Sequence, residues 1–469
     1  MGIIQTIRGW INMLLGSKTK ETYGVTTITS GKLDAFIGQS GAIYEGNPPW
    51  MGEDIRTVNM AKAVCSEVAR LATLAIGIQA DGGPRAEWIQ RQIDEKVYYN
   101  LRHWIEYAMA YGTAVLKPTG DSIDLYLPGR FAVTDTAAGE ITGAVFQDRI
   151  YDQRAEKWYT RLEYHRFLDN GNYAVSNRCF VADTEGGNSK PCAIEVTPWI
   201  GLMEDVEITG VEKPLFGVLR TPAANNIDID SPLGLPIYAD AIEELRDLDV
   251  AYTRNAHEIH DSRRMVLMDS DRLVASGSPV GKGAQAFEHE REKLKLPEYV
   301  RMVHGDARES FYQEVNPSLN TEMRLKGINA LLSQIGYKCG FSNGYFVFNE
   351  SSGIATATQV EADQQRTVQL IKDVRDKLTD AIDGLVYAME KMADLYGLAP
   401  KGLVEMHYDF GDILYSATED KARWYSYVIA GKVPFWYYLV KFEGLSEADA
   451  KALEETAGPE EPEGLFGEE

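Results

Sequence analysis

The feature that most constrains this chain is one long hydrophobic stripe. Ile371, Val374, Leu378, Ala381, Leu385, Ala388, Met392 and Leu395 alternate steps of three and four until Gly397 and Pro400 end the pattern. Thr358 and Glu361 read as a capping box, so the spacing predicts a helix over 358–397. Its first turns, Glu361 to Gln369, are polar for a core helix, and Gly384 in its interior is a mild local cost. A helix of that length must find a partner surface along most of one face, and the rest of the chain has to supply it.

Two shorter stripes precede it. Ile237, Ala241, Leu245, Leu248, Tyr252, Ala256 and Ile259 recur with no Gly or Pro before Ser262, which predicts a helix over 237–262, roughly 35 to 40 Å long. Leu325, Ile328, Leu332 and Ile335 predict a second helix over 320–339, with Asn320 as N-cap and Glu322 in its first turn. Residues 263–319 between them carry two short strand-like runs, Met265 to Met268 and Tyr299 to Val303, around a Gly-rich turn and a charged stretch. They read as a small α+β insertion. The 341–353 segment has two glycines, two asparagines and four aromatics without helical periodicity, and reads as a loop.

Residues 1–236 begin with helical stripes. Ile4, Ile7, Ile11 and Leu14 predict an amphipathic helix that docks on protein rather than membrane. Met60, Val64, Val68 and Leu71 form a second stripe, and Ile89, Ile93, Val97, Leu101, Ile105 and Met109 a third at steps of four. From Ala114 to about Ile208, β-rich runs separated by turns such as Asn170-Gly171-Asn172 predict an antiparallel region. Residues 398–469 hold an aromatic block, a charged helix from about Ser446 to Glu455, and an acidic tail after Gly458 that reads as disordered.

Hydrophobic residues at 44% and charged residues at 25% mark a globular chain, not a disordered one. The 70 acidic against 47 basic residues give a net charge of -23, which disfavours non-specific adhesion to nucleic acid or anionic membrane. Cys65, Cys179, Cys192 and Cys339 show no C-x-x-C spacing, so a reducing compartment fits and a zinc site or secreted disulfide framework does not. No apolar run is long enough for a membrane span. Gly277 to Lys282 is one residue short of a phosphate loop, and His257 with His260 lacks a third ligand. Asp228 with Asp230 and Asp269 with Asp271 do not continue into calcium loops. No nucleophile elbow or Cys/His pair stands out, so neither enzymatic activity, a cofactor nor a metal is expected.

Three stretches carry a family resemblance: Asn226 to Tyr238 running into Ala241 to Asp249, Gly340 to Phe348 followed by Thr356 to Glu361, and Ile7 to Ile11. With the element order, they resemble the portal proteins of tailed bacteriophages, in particular the branch from phages of Gram-positive bacteria. The resemblance implies an α+β portal fold. Residues 1–236 belong to a β-rich wing, 237–262 and 320–339 to paired stem helices, 263–319 to the clip and 340–357 to the tunnel loop. Residues 358–397 form a long wing helix and 398–469 a mostly helical wing or crown. It implies a closed ring, usually of twelve copies, at one vertex of the virion capsid, assembled in the host cytoplasm. Double-stranded viral DNA would pass through without sequence reading during packaging, retention and ejection. The implied partners are the terminase motor, major capsid and scaffolding proteins and a head-tail adaptor, with no membrane.

An acidic channel wall suits such passage, because basic linings release counterions and grip duplex tightly. Asn343, Gly344, Tyr345, Phe346, Phe348, Asn349, Glu350 and Gly353 are the candidate loop residues facing DNA, or else a connection whose aromatics pack on the helices. Arg324, Lys326 and Lys338 are candidates for a basic channel ring, or equally for solvated or salt-bridging residues. Leu245, Leu248, Tyr252 and Ile259 are the expected stem-packing residues. The competing functions are a non-portal head-tail adaptor ring and a soluble metal-dependent hydrolase built on the Asp pairs.

Overall fold

The structure, a computed structural model, describes residues 15–52, 54–120, 122–261, 265–269, 299–303, 312–315, 320–348, 357–411, 417–443 and 445–456. The expectations for residues 1–14, the Gly277 to Gly283 turn, Asn349, Glu350, Gly353 and the acidic tail from 458 lie outside them. The chain divides into two compact units, Met1–Asp409 and Phe410–Glu469.

The first unit opens with helices α1 (residues 15–23), α2 (Gly31–Tyr44) and α3 (Met60–Ala72). Strand β1 (Ile76–Asp81) leads to α4 (Pro84–Gln92), which runs through a π-turn (Ile93–Val97) into α5 (Tyr98–Tyr111). That π-turn follows from the stripe at steps of four. Four residues overshoot one α-helical turn by about 40°, so six such positions would spiral halfway round the helix and meet water. The wider turn, closed by the Tyr98 amide on the Ile93 carbonyl, rotates the stripe back, and all six residues from Ile89 to Met109 are buried.

The β-rich region forms two sheets. Strands β2 (Thr113–Thr119), β3 (Ser122–Tyr126) and β10 (Gly217–Arg220) make one, in the order β10-β2-β3. Strands β4 (Phe131–Ala137), β5 (Glu140–Asp152), β6 (Lys157–Phe167), β7 (Tyr173–Ala182) and β8 (Lys190–Cys192) make the other in sequence order, with β9 (Asp205–Ile208) also paired to β7. Every ladder in these two sheets is antiparallel. Val133, Phe146, Tyr126, Val115 and Phe216 build the core on one face with Leu33 and Ile37 of α2. Val145, Leu162 and Tyr164 face the other way onto Leu15 of α1. Successive strand residues point to opposite faces, and here both faces are covered.

Charged groups lie inside this core. Lys117 of β2 reaches Glu163 of β6 at 2.5 Å, Arg161 binds both Glu163 (2.8 Å) and Asp148 (2.7 Å), and Tyr126 donates to Asp148 at 2.7 Å. Two cations thus balance two carboxylates. Burial opposes ionisation of Glu163, but Lys117, His165 and Arg161 outweigh it and hold its pKa well below the usual carboxylate value. His165 lies 2.8 Å from Glu163 through Nε2 and 3.0 Å from the Tyr173 hydroxyl through Nδ1. An ionised carboxylate only accepts, so Nε2 carries the proton and Nδ1 accepts from Tyr173. A second ring proton would leave an uncompensated charge in the core, and burial accordingly lowers the His165 pKa.

The first unit ends on α6 (Ile242–Asp261), α7 (Thr321–Lys338), α8 (Ala357–Tyr396) and β14 (Glu405–Phe410), whose last residue begins the second unit and which pairs with β1. A short 3-10 turn, Ala239–Ala241, precedes α6, so the α-helix starts five residues later than the sequence predicts. Thr358 lies inside α8 and cannot be its N-cap, and the Asn320 side chain makes no capping bond to α7. Between α6 and α7, β11 (Met265–Asp269) pairs in parallel with β12 (Tyr299–Val303) and antiparallel with β13 (Tyr312–Val315). The third strand was not legible in the sequence.

Helix α8 crosses β10 at two glycines. A Cβ on Gly384 would meet the Gly217 Cα at 3.0 Å, and a Cβ on Gly217 would collide with the Ala381 carbonyl and lie 3.0 Å from the Leu385 nitrogen. Gly384 is therefore the condition for close packing rather than a flaw in the helix. The second unit holds α9 (Ala417–Ile429), α10 (Phe435–Glu443) and α11 (Glu447–Thr456), joined by aromatic contacts such as Trp424 to Tyr437, with Lys441 3.8 Å from the Trp424 ring centre.

Two outcomes are expected. Gly217→Ala forces backbone apart and should destabilise by about 1–3 kcal/mol in urea unfolding, whereas Gly31→Ala, with open space around it, should be nearly neutral. The second concerns pH. An unfolded His165 takes a proton near pH 6.5 and the folded one resists it, so stability is full above about 6.5 and declines as pH falls below. The Glu163 contribution, present above its ordinary value of 4.5, is lost only at lower pH as its depressed pKa is crossed. The denaturant midpoint should drop between pH 7.5 and 5.5, and His165→Gln should flatten that drop.

Candidate functional site

The residues singled out by the sequence meet on α6, α7 and the loop that follows. The two helices are clamped near both ends. Lys338 at the end of α7 binds Glu244 at 2.6 Å and the Asp240 carbonyl at 2.9 Å. At the opposite end Arg324 pairs with Glu258, whose Oε1 also accepts the Asn320 amide at 3.3 Å. Lys326 pairs along its own helix with Glu322 at 3.6 Å and is the most exposed of the three candidate cations. Arg324 and Lys338 are thus committed to joining the helices, which favours the salt-bridging alternative for those two.

Of the expected packing residues, Leu245 and Leu248 are buried, but Tyr252 and Ile259 are exposed at 44% and 54%. The stripe is buried over the N-terminal half of α6 alone. There the segment before α3 covers it: Trp50 Nε1 and the Val58 amide donate to buried Asp249 at 2.9 and 2.8 Å, and the Arg56 amide donates to Thr253 at 3.0 Å.

The described part of the loop, through Phe348, is tied down. Phe341 is fully buried and its ring centre lies 4.9 Å from Tyr345 and 4.8 Å from Phe346. Ser342 exchanges hydrogen bonds with Thr367 of α8, its amide donating at 2.9 Å. Asn343 bonds Ser333, which also accepts the Gly344 amide at 3.3 Å. The Asn329 side chain brackets Phe348, donating to its carbonyl at 2.9 Å and accepting its amide at 3.0 Å. The Tyr345 hydroxyl donates to Glu67 of α3, itself held by Arg70 at 2.7 and 2.8 Å. Burial and that carboxylate push the Tyr345 pKa up to about 12, so the phenol remains a donor. The Arg70 bond lowers the pKa of Glu67 against its partial burial.

Tyr345 and Phe346 pack on Phe341, Asn343 bonds Ser333 while staying exposed, and Phe348, 54% exposed, is the large apolar side chain left on the surface of the segment. Gly344 has a φ of +78°, a conformation that proline cannot adopt. Proline there would break the loop. The loop aromatics were visible in the sequence, but their partners Glu67, Asn329, Ser333 and Thr367 were not, since polar residues on three separate helices give no local signal.

Among the described residues, no group of three or more His, Cys, Asp or Glu side chains gathers as metal ligands, and no helix is long and apolar enough to cross a membrane. Asp228 instead accepts the Ser30 amide at 3.3 Å. No family model and no curated protein matches the chain. A chain of a solved structure entitled "Virion of native gene transfer agent (GTA) particle" aligns over 93% of this chain and 99% of its own, at 14% identity and a TM-score of 0.44. The two backbones agree only loosely.

The Asn329 bracket generates a direct test. Asn329→Ala removes both bonds that hold the Phe348 backbone, and should speed proteolytic cleavage of the adjoining loop several-fold while the urea midpoint of the whole chain changes little.

Proposed function

We propose that this chain is a portal subunit: a segment of a ring-shaped conduit at one capsid vertex through which viral DNA is packaged, retained and ejected. The observation that carries the reading is the order helix, small three-stranded sheet, return helix, irregular loop and 40-residue helix, with α6 and α7 clamped at both ends by Glu244–Lys338 and Glu258–Arg324. Such a braced pair can carry the small sheet that joins its two helices. Two of the stretches that resemble portal proteins, Asn226 to Asp249 and Gly340 to Glu361, run into α6 and join α7 to α8.

The surface chemistry supports the same reading. Tyr252 and Ile259 of α6 and Met323 of α7 stay exposed on the braced pair, an apolar surface for a neighbouring copy in a head-to-tail ring. Twelve copies at -23 each carry -276, so the wall repels phosphate and the duplex slides rather than sticks. With Tyr345 and Phe346 packed inward, the sliding contact from the described part of the loop falls to Phe348. The motor, capsid and scaffolding proteins and a head-tail adaptor are the partners this role requires.

Negative-stain images of the purified full chain test the class. Rings of about twelve copies with a central hole are expected, and a monomer would overturn the proposal. Leu248→Asp places a charge at a 1% exposed position and should abolish soluble rings. An adaptor ring is separated from a portal by function: shells assembled with a portal fill with DNA when motor and ATP are supplied, and shells assembled with an adaptor do not.

A further inference from the structure

Cys179 of β7 and Cys192 of β8 are direct register partners in an antiparallel pair. Directly opposed residues in such a pair have Cα atoms about 4.5–5.5 Å apart, within the roughly 4.4–6.8 Å that a disulfide spans. Both are free thiols in this structure. Strand β8 is three residues long, and it reaches this register after a turn that contains Gly186 and Gly187. Two opposed cysteines at so short a strand form a ready cross-link.

Access separates Cys192 from the other three cysteines. Cys179 and Cys192 both line a cleft of about 580 Å³, bordered by Phe180, Pro191 and Glu204, with Cys192 only half-buried. Cys179, Cys65 and Cys339 are 4%, 0% and 2% exposed, so Cys192 is the thiol that a dissolved disulfide reaches first, and of the three buried thiols only Cys179 stands opposite it. A metal site is the other chemistry two thiols suggest, but among the described residues no third ligand joins them.

We propose that Cys179 and Cys192 are a reversible dithiol–disulfide pair that staples β8 to the sheet when a small disulfide such as oxidised glutathione is present. The Cys192 thiolate attacks one glutathione sulfur, giving a mixed disulfide and releasing one glutathione thiolate. The Cys179 thiolate then attacks the Cys192 sulfur, forming the intrachain bond and releasing the second. The two protein thiols lose two electrons and two protons, which the two departing glutathiones carry away. Burial pushes both thiols up, so the ionised fraction at neutral pH is small and the exchange accelerates in alkali. The pair does not depend on the portal assignment.

The test uses the full chain, purified reduced and incubated with oxidised glutathione at pH 8.5, then denatured, alkylated with a maleimide and mapped by mass spectrometry. Alkylatable thiols should fall from the four in the sequence to two, with a linked peptide joining Cys179 to Cys192, and return to four with dithiothreitol. Cleavage of the 183–189 turn by protease should slow several-fold in the oxidised form, and Cys192→Ser should abolish both the link and that protection. Four thiols remaining, a reaction that stops at glutathionylated Cys192, or a link that joins two chains or includes Cys65 or Cys339 would overturn the proposal. The mapping is made on the unaltered chain, so it holds even if the serine variant folds poorly.

Discussion

The first unit is held together by two buried arginines that finish other helices. Arg375 of α8 donates to the carbonyls of Leu71, Ala72 and Leu74 at 3.1–3.2 Å, closing the end of α3. Arg85 of α4 donates to the carbonyls of Glu390, Ala399 and Pro400 at 2.7–2.9 Å and pairs with Asp394 at 2.7 Å, tying the last turns of α8 to the chain just beyond them. The last carbonyls of a helix have no partner of their own, and a guanidinium supplies several donors in one plane. Helices from opposite ends of the unit thus terminate on one another. The Gly217–Gly384 crossing requires that α8 lie in this place, and the loop after α7 takes its position from Thr367 on the same helix.

Periodicity made the helices legible, because a stripe at three-four steps has one interpretation once it exceeds a few turns. The strands were legible from β-branched and aromatic runs between turn residues. The inner charges were not. Arg161, Glu163 and His165 sit at alternate positions of β6 and so share one face, but that pattern in isolation is that of an exposed face. Lys117, which makes the face an interior one, lies on a strand about 45 residues earlier and only the fold brings it near. Gly384 likewise read as a cost because its reason, Gly217, is remote in sequence.

The candidate site was legible in place but not in orientation. Its segment was found from glycines, asparagines and aromatics, but those residues did not show that Phe341, Tyr345 and Phe346 pack on one another while Phe348 stays exposed. The cations of α7 were found by type, whereas their roles depend on Glu244 and Glu258 of α6. Acidic residues along a helix read as a solvated face until the antiparallel partner is known.

The pairing of β1 with β14 sets a schedule for synthesis. Residues 76–81 wait for residues 405–410, so one edge of the first unit stays open while more than 300 residues are made. At roughly 5–20 residues per second that interval is on the order of 15 to 60 s. For that time β1 presents unpaired amides and carbonyls to any extended chain nearby, including its copies on the same messenger. The sheet edge of the first unit therefore closes late, when β14 arrives, and slow translation lengthens its exposure to mispairing.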